Sequence, residues 1–202
     1  MTDQVWWYTA RAGGIVAWAL MAAGVLWGLA LSTKVLRGKP RPNWVLDLHR
    51  FLGGLAVVFT GVHVTAIVAD SYVHFGLTEI LVPFTGDWHP VAVAWGIIGA
   101  YVLAAVEITS LLRHRLSKRA WRMTHYLGFP LFVLTTVHAL SAGTDRHSFL
   151  LRWGVIATCV AVTALAFVRV RRVERRPPPR PAAPIDWSPP RVLVGTGAKE
   201  SS

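Results

Sequence analysis

The chain has 202 residues, 53% of them hydrophobic and 15% charged, and a mean hydropathy of +0.45, where a soluble domain carries about 25% charged residues. That balance excludes an ordinary soluble domain and points to an all-α integral membrane bundle in contact with lipid. The net charge of +11 does not imply a nucleic-acid partner, because the basic residues flank apolar stretches and have no groove-reading motif behind them.

A membrane crossing takes about 20 predominantly apolar residues at about 1.5 Å of rise each. Five stretches qualify, at 13–32, 47–69, 90–112, 121–141 and 149–169, so a bundle of about five transmembrane helices is expected. The first is preceded by MTDQVWWYTAR, which holds a single Arg, while the denser basic cluster comes after it; it reads as a retained helix and not a cleaved signal. The second carries His49, His63, Gly53, Gly54 and Gly61, small residues that permit close approach of a helix or a flat ligand. Segment 71–88 is interrupted by Glu79, Pro83 and Asp87, and reads as a loop or an interfacial helix.

The third stretch holds Glu107 near its end, a group suited either to a hydrogen bond with a ligand imidazole or to pairing with Arg113. The fourth holds His125 and His138, with Gly128 and Pro130 between them, and the fifth holds Cys159, which packs as a small apolar residue. From residue 170 onward the chain contains seven of its twelve prolines and much of its positive charge. Such a stretch builds no packed core, so the expected division is a membrane domain over 1–169 and a disordered cytoplasmic tail over 170–202. No GxGxxG follows a strand, and the tail is too short for a flavin or nicotinamide domain.

Of the 21 Lys and Arg residues, 18 fall on one side of these spans, and Arg11, Arg146 and Arg152 on the other. Retention of positive charge in the cytoplasm then sets the N-terminus outside and the C-terminus inside, in the cell membrane. Six Trp residues (Trp6, Trp7, Trp44, Trp88, Trp121 and Trp153) sit near predicted interfaces and fit an aromatic belt.

Histidine within a span is costly unless it is paired or ligated. His49 and His63 are 14 residues apart, and His125 and His138 are 13 apart, roughly 20 Å along a helix axis, too far for both to reach one ion. One span separates the two helices, so they run in the same direction. His49 is then level with His125, and His63 with His138. Zinc asks for three or four protein ligands, whereas haem brings four nitrogens of its own and asks for two axial ones. Two facing pairs therefore suit two haems, with His49, His63, His125 and His138 as the metal ligands. On an undistorted helix 13 residues miss the same face by about 140°, so a distortion at Gly128 and Pro130 is expected to bring His138 round. Arg50 and Arg122 adjoin the inner pair, where they pair with haem propionates or simply anchor the topology.

HRFLG at His49 to Gly53, the His 14 residues later, EITS at Glu107 to Ser110, WRMTH at Trp121 to His125 and the His 13 residues after it resemble the ferric reductase-like transmembrane domain. That superfamily includes ferric reductases, NADPH oxidases and the haem-binding membrane subunit of the bacterial methionine sulfoxide reductase system. The resemblance covers roughly 13–141 and implies two b-type haems, the inner on His49 and His125 and the outer on His63 and His138. It implies single-electron transfer from a separate donor, a flavoprotein reductase or a quinol, to an external acceptor such as ferric iron, oxygen or a redox protein. No catalytic acid, base or nucleophile stands out. Two other classes remain: a permease or anchor whose His brace helices or carry protons, and a haem-based sensor or carrier. His74 and His89 flank the outer loop, and His114 and His147 lie in charged loops.

Overall fold

The computed structural model describes residues 2–33, 42–70, 75–143 and 148–174. The described residues form helices and turns, with no strand. In chain order the helices are α1 (Thr2–Thr33), α2 (Pro42–Ala69), α3 (Leu77–Leu81), α4 (Pro90–Leu111), α5 (Lys118–His125), α6 (Gly128–Ala142) and α7 (Phe149–Glu174). Four of them, α1, α2, α4 and α7, are long and apolar enough to cross a membrane. Their lipid-directed faces are lined with exposed Phe51, Val58, Val91, Leu150 and Phe167, which no aqueous surface would tolerate in such number.

The fourth expected span, 121–141, is not one helix. It is α5 followed by α6, broken at Tyr126–Leu127, and the 15 residues of α6 reach about 22 Å, short of the roughly 30 Å hydrocarbon core on their own. The break has a covalent cause. Pro130 has no N–H to give the Tyr126 carbonyl, and that carbonyl accepts instead from Phe129 at 3.2 Å, while Leu127 N–H bonds the Thr124 carbonyl at 3.0 Å. These i→i+3 bonds tighten the turn. His125 thus ends one helix and His138 rides on the next.

Segment 75–88 contains the five-residue α3, started by Gly76, whose N–H bonds the Glu79 carboxylate at 2.9 Å. Pro90 opens α4 in the first-turn position where its missing N–H costs nothing. Ser117 caps α5 by accepting from Ala120 N–H at 3.2 Å. Helix α7 runs to Glu174, five residues past the expected stretch 149–169. The tail from 175, and with it the disorder expected there, lies outside the described residues, as do His74 and His147.

α1 is the centre of the packing. It lies along α2 over most of its length and also touches α6 and α7, while α4 packs chiefly on α6. The core joins Trp18, Ala22 and Leu29 of α1 to Phe132 of α6 and to Val155 and Val162 of α7, with Cys159 against it. A buried hydrogen bond from Trp18 Nε1 to Thr136 Oγ1 at 3.0 Å ties α1 to α6. Thr60, Thr109, Thr135, Thr136 and Thr158 return their hydroxyls to carbonyls on their own helices, which satisfies them where lipid offers no partner.

Contacts also sort the two ends of the bundle. The Arg172 guanidinium donates to the Thr33 carbonyl, and the Arg169 guanidinium lies against Tyr126, so the ends of α1 and α7 meet the α5–α6 break. Arg50, Arg122, Arg169, Arg171 and Arg172 share that end. Ala10 of α1, His63 of α2, and Ala92 and His138 of α4 and α6 gather toward the other.

Candidate functional site

The four predicted histidines come together as two facing pairs between α2 and the α5–α6 arm. The His49 and His125 rings have centroids 5.8 Å apart with planes at 77°; those of His63 and His138 are 6.2 Å apart, also at 77°. An ion held by two imidazole nitrogens at about 2.0–2.1 Å each sets the ring centroids roughly 6 Å apart. Both pairs stand at that spacing, one near the basic end of the bundle and the other about 21 Å along α2.

Three of the four rings are lodged against a neighbouring helix at a glycine. A Cβ on Gly14 would lie 2.9 Å from His63 Nδ1, one on Gly96 would lie 2.7 Å from His138 Cε1, and one on Gly28 would lie 3.2 Å from His49 Cε1. At the pair farther from the basic end the rings also bond main chain: His63 Nδ1 to the Ala10 carbonyl at 2.7 Å, and His138 Nδ1 to the Ala92 carbonyl at 2.8 Å. At the pair near the basic end, His49 lies against the Gly24 carbonyl, but neither His49 Nδ1 nor His125 Nδ1, both buried, makes a bond of hydrogen-bond geometry. His125 instead stacks on Trp121, centroids 5.2 Å apart and planes at 23°.

Among the described residues no cluster of three or more His, Cys, Asp or Glu side chains could enclose an ion. Two imidazoles per level fit haem, which needs only the axial positions filled. The ring spacings and the glycine seats suit that group at both levels.

Arg50 and Arg122 stand at the level of His49 and His125, exposed and turned to nearer partners. Arg50 Nη1 meets Asp47 Oδ1 at 3.4 Å one turn away, and Arg122 Nη2 bonds the Tyr126 hydroxyl at 3.1 Å. Glu107 lies against Gly53, whose added Cβ would overlap its carboxylate, and among the described residues it bonds neither a His ring nor Arg113. Gly54 and Gly61, singled out on the ligand helix, are exposed, and a Cβ on either would meet nothing. His89 stacks edge-on with Trp88, centroids 4.6 Å apart, and His114 is exposed in the turn after α4.

Sequence reasoning missed two things. Trp121, assigned to the aromatic belt, is a ring neighbour of His125, and its four-residue offset on one helix was the signal. The seats Gly14, Gly28 and Gly96 were also missed, although the 14-residue separation of the first two on α1 repeats the His49–His63 separation on α2.

A family model described as ferric reductase like transmembrane component matches residues 13–136. The match includes His49, His63 and His125 and stops two residues before His138. An uncharacterised protein of Archaeoglobus fulgidus is 32% identical over 127 residues, which is 58% of this chain and 65% of that relative, so the chain spans just under two thirds of its length. No solved structure matches.

Proposed function

The chain belongs to the ferric reductase-like transmembrane component family, and from that premise we propose that this multi-pass membrane electron-transfer component carries single electrons through two b-type haems, one at each histidine pair. The observation that carries the reading is the matched ring spacing, 5.8 and 6.2 Å, at two levels of one bundle. Bound haem supplies the one-electron couple. His49 and His125 hold the inner group, and His63 and His138 the outer. The surrounding apolar helices keep water and ions from the path, so that an electron crosses the low-dielectric layer between fixed stations. Arg50 and Arg122, exposed at the inner level, are placed to exchange Asp47 and Tyr126 for propionates or for an acidic face of the donor.

Positive charge gathers at the end that holds His49 and His125, which supports an orientation with that end in the cytoplasm. The donor, a separate flavoprotein reductase or a quinol, then meets the inner pair. The acceptor, ferric iron, oxygen or a redox protein, meets the outer pair from outside the cell membrane.

The test is a dithionite-reduced minus oxidised spectrum with haem quantitation on the purified protein. The expected result is low-spin b-type bands at about two haems per chain, falling to about one in His63→Ala and in His49→Ala. A colourless protein would instead support a permease or anchor. Unchanged stoichiometry in either variant would remove that histidine from the ligand set.

A further inference from the structure

We propose that Gly14, Gly28 and Gly96 are positioning residues, each opening a seat on one helix for an imidazole of the next, with the carbonyl four residues earlier addressed to the ring. This deepens the di-haem reading and rests on it.

The three seats share one construction: Ala10 with Gly14, Gly24 with Gly28, and Ala92 with Gly96. In a helix the carbonyl of residue i already accepts from the N–H of i+4 and keeps a second lone pair. A side chain on residue i+4 stands in the way of a ring approaching that lone pair. A Cβ on Gly14 would lie 2.9 Å from Nδ1 and 3.0 Å from Cε1 of His63, and one on Gly96 would lie 2.8 Å from Nδ1 and 2.7 Å from Cε1 of His138. Nδ1 of His63 bonds the Ala10 carbonyl at 2.7 Å and Nδ1 of His138 bonds the Ala92 carbonyl at 2.8 Å. A carbonyl accepts and never donates, so each Nδ1 carries the proton. Nε2 is left with the lone pair that a metal takes. Donation from Nδ1 also raises the basicity of the ligand, which stabilises the oxidised iron.

The inner pair is built differently. Gly28 seats His49 more loosely, with a Cβ contact of 3.2 Å, and the Nδ1 of His49 and of His125 form no hydrogen bond. Donation from Nδ1 to main-chain carbonyls therefore tunes the outer pair, and packing holds the inner one.

Three measurements test this. Gly14→Ala and Gly96→Ala are expected to raise the midpoint potential of the outer haem and alter its low-spin EPR signal, or to empty that site, with the inner haem unchanged. Gly28→Ala is expected to disturb the inner haem alone, and the exposed Gly54→Ala and Gly61→Ala neither. Full haem content with unmoved potential and EPR signal in both Gly14→Ala and Gly96→Ala would overturn the proposal.

Because either variant can fail to accumulate, 15N NMR of the purified wild-type protein gives an independent reading. In the reduced, diamagnetic protein it is expected to show Nδ1–H signals of His63 and His138 shifted downfield by hydrogen bonding relative to those of His49 and His125, and equal shifts for all four would sink the seat assignment. A colourless wild type refutes the di-haem reading itself, whereas a haem-loaded wild type with indifferent variants refutes only the seats.

Discussion

At the scale of single residues, the angle between rings is as informative as their distance. Both facing pairs hold their imidazole planes at 77°. Parallel axial rings split the iron π orbitals strongly, and near-perpendicular ones leave them almost degenerate. The oxidised protein is therefore expected to give the strongly anisotropic low-spin EPR signal of crossed ligands at both haems; an ordinary rhombic spectrum would show that the rings rotate when the group binds. The four histidines were legible in the sequence because ionisable groups are scarce in lipid and two spacings on alternate helices cannot serve one ion. The environment of each ring was not. The contact between Gly96 and His138 joins residues 42 apart, and nothing local to either position announces it. Arg50 and Arg122 adjoin His49 and His125 in sequence, and their partners, Asp47 and Tyr126, depend on side-chain direction, which sequence spacing alone leaves open.

At the scale of elements, hydropathy located four long helices, because crossing hydrocarbon imposes a length that few other structures need, but not all their ends: α1 starts at Thr2, 11 residues before the expected 13, while α4 matches 90–112 to within a residue. Hydropathy also missed the division of the fourth stretch. An apolar run looks continuous whether or not its main chain is, and the signals were Gly128 and Pro130, read as a distortion and realised as a break at Tyr126–Leu127. Restoring a donor with Pro130→Ala is expected to let Tyr126 regain an i→i+4 partner and draw α5 and α6 toward one helix. On such a helix His138 turns away from the face of His125, so the variant should lose the outer haem while keeping the inner, as read by haem per chain and by EPR. Retention of both would show that the break has another cause. The Trp18–Thr136 bond was invisible for the opposite reason, since its partners are 118 residues apart. Thr136→Val keeps the side-chain shape and removes the acceptor, and is expected to cost about 1–3 kcal/mol of stability with haem content unchanged. A thermal midpoint equal to the wild type would count against that bond.

At the scale of the whole molecule, the core is gathered around α1, while the histidine pairs lie to one side between α2 and the α5–α6 arm. Helix α1 serves both, carrying Trp18, Ala22 and Leu29 in the core and Gly14 and Gly28 against His63 and His49; loss of one histidine pair leaves those core contacts in place and should leave a protein that still inserts. Orientation can be tested directly with an impermeant thiol reagent in a Cys159→Ser background. His114→Cys, in the exposed turn after α4, is expected to label only in inside-out vesicles, and Gly76→Cys, at the start of α3, only in intact cells. The reverse pattern would put the donor and the acceptor on the wrong sides.

Helices α1 and α2 run antiparallel, and the interval of 14 residues occurs in both, between Gly14 and Gly28 on one and between His49 and His63 on the other. The ruler that separates the two histidine pairs is therefore written twice, in opposite directions. A residue inserted within either copy alone would slide one notch past its tooth while the other still engaged, so length changes in this hairpin are tolerable only in matched pairs. Two sites about 21 Å apart are in that sense inherited as a single unit.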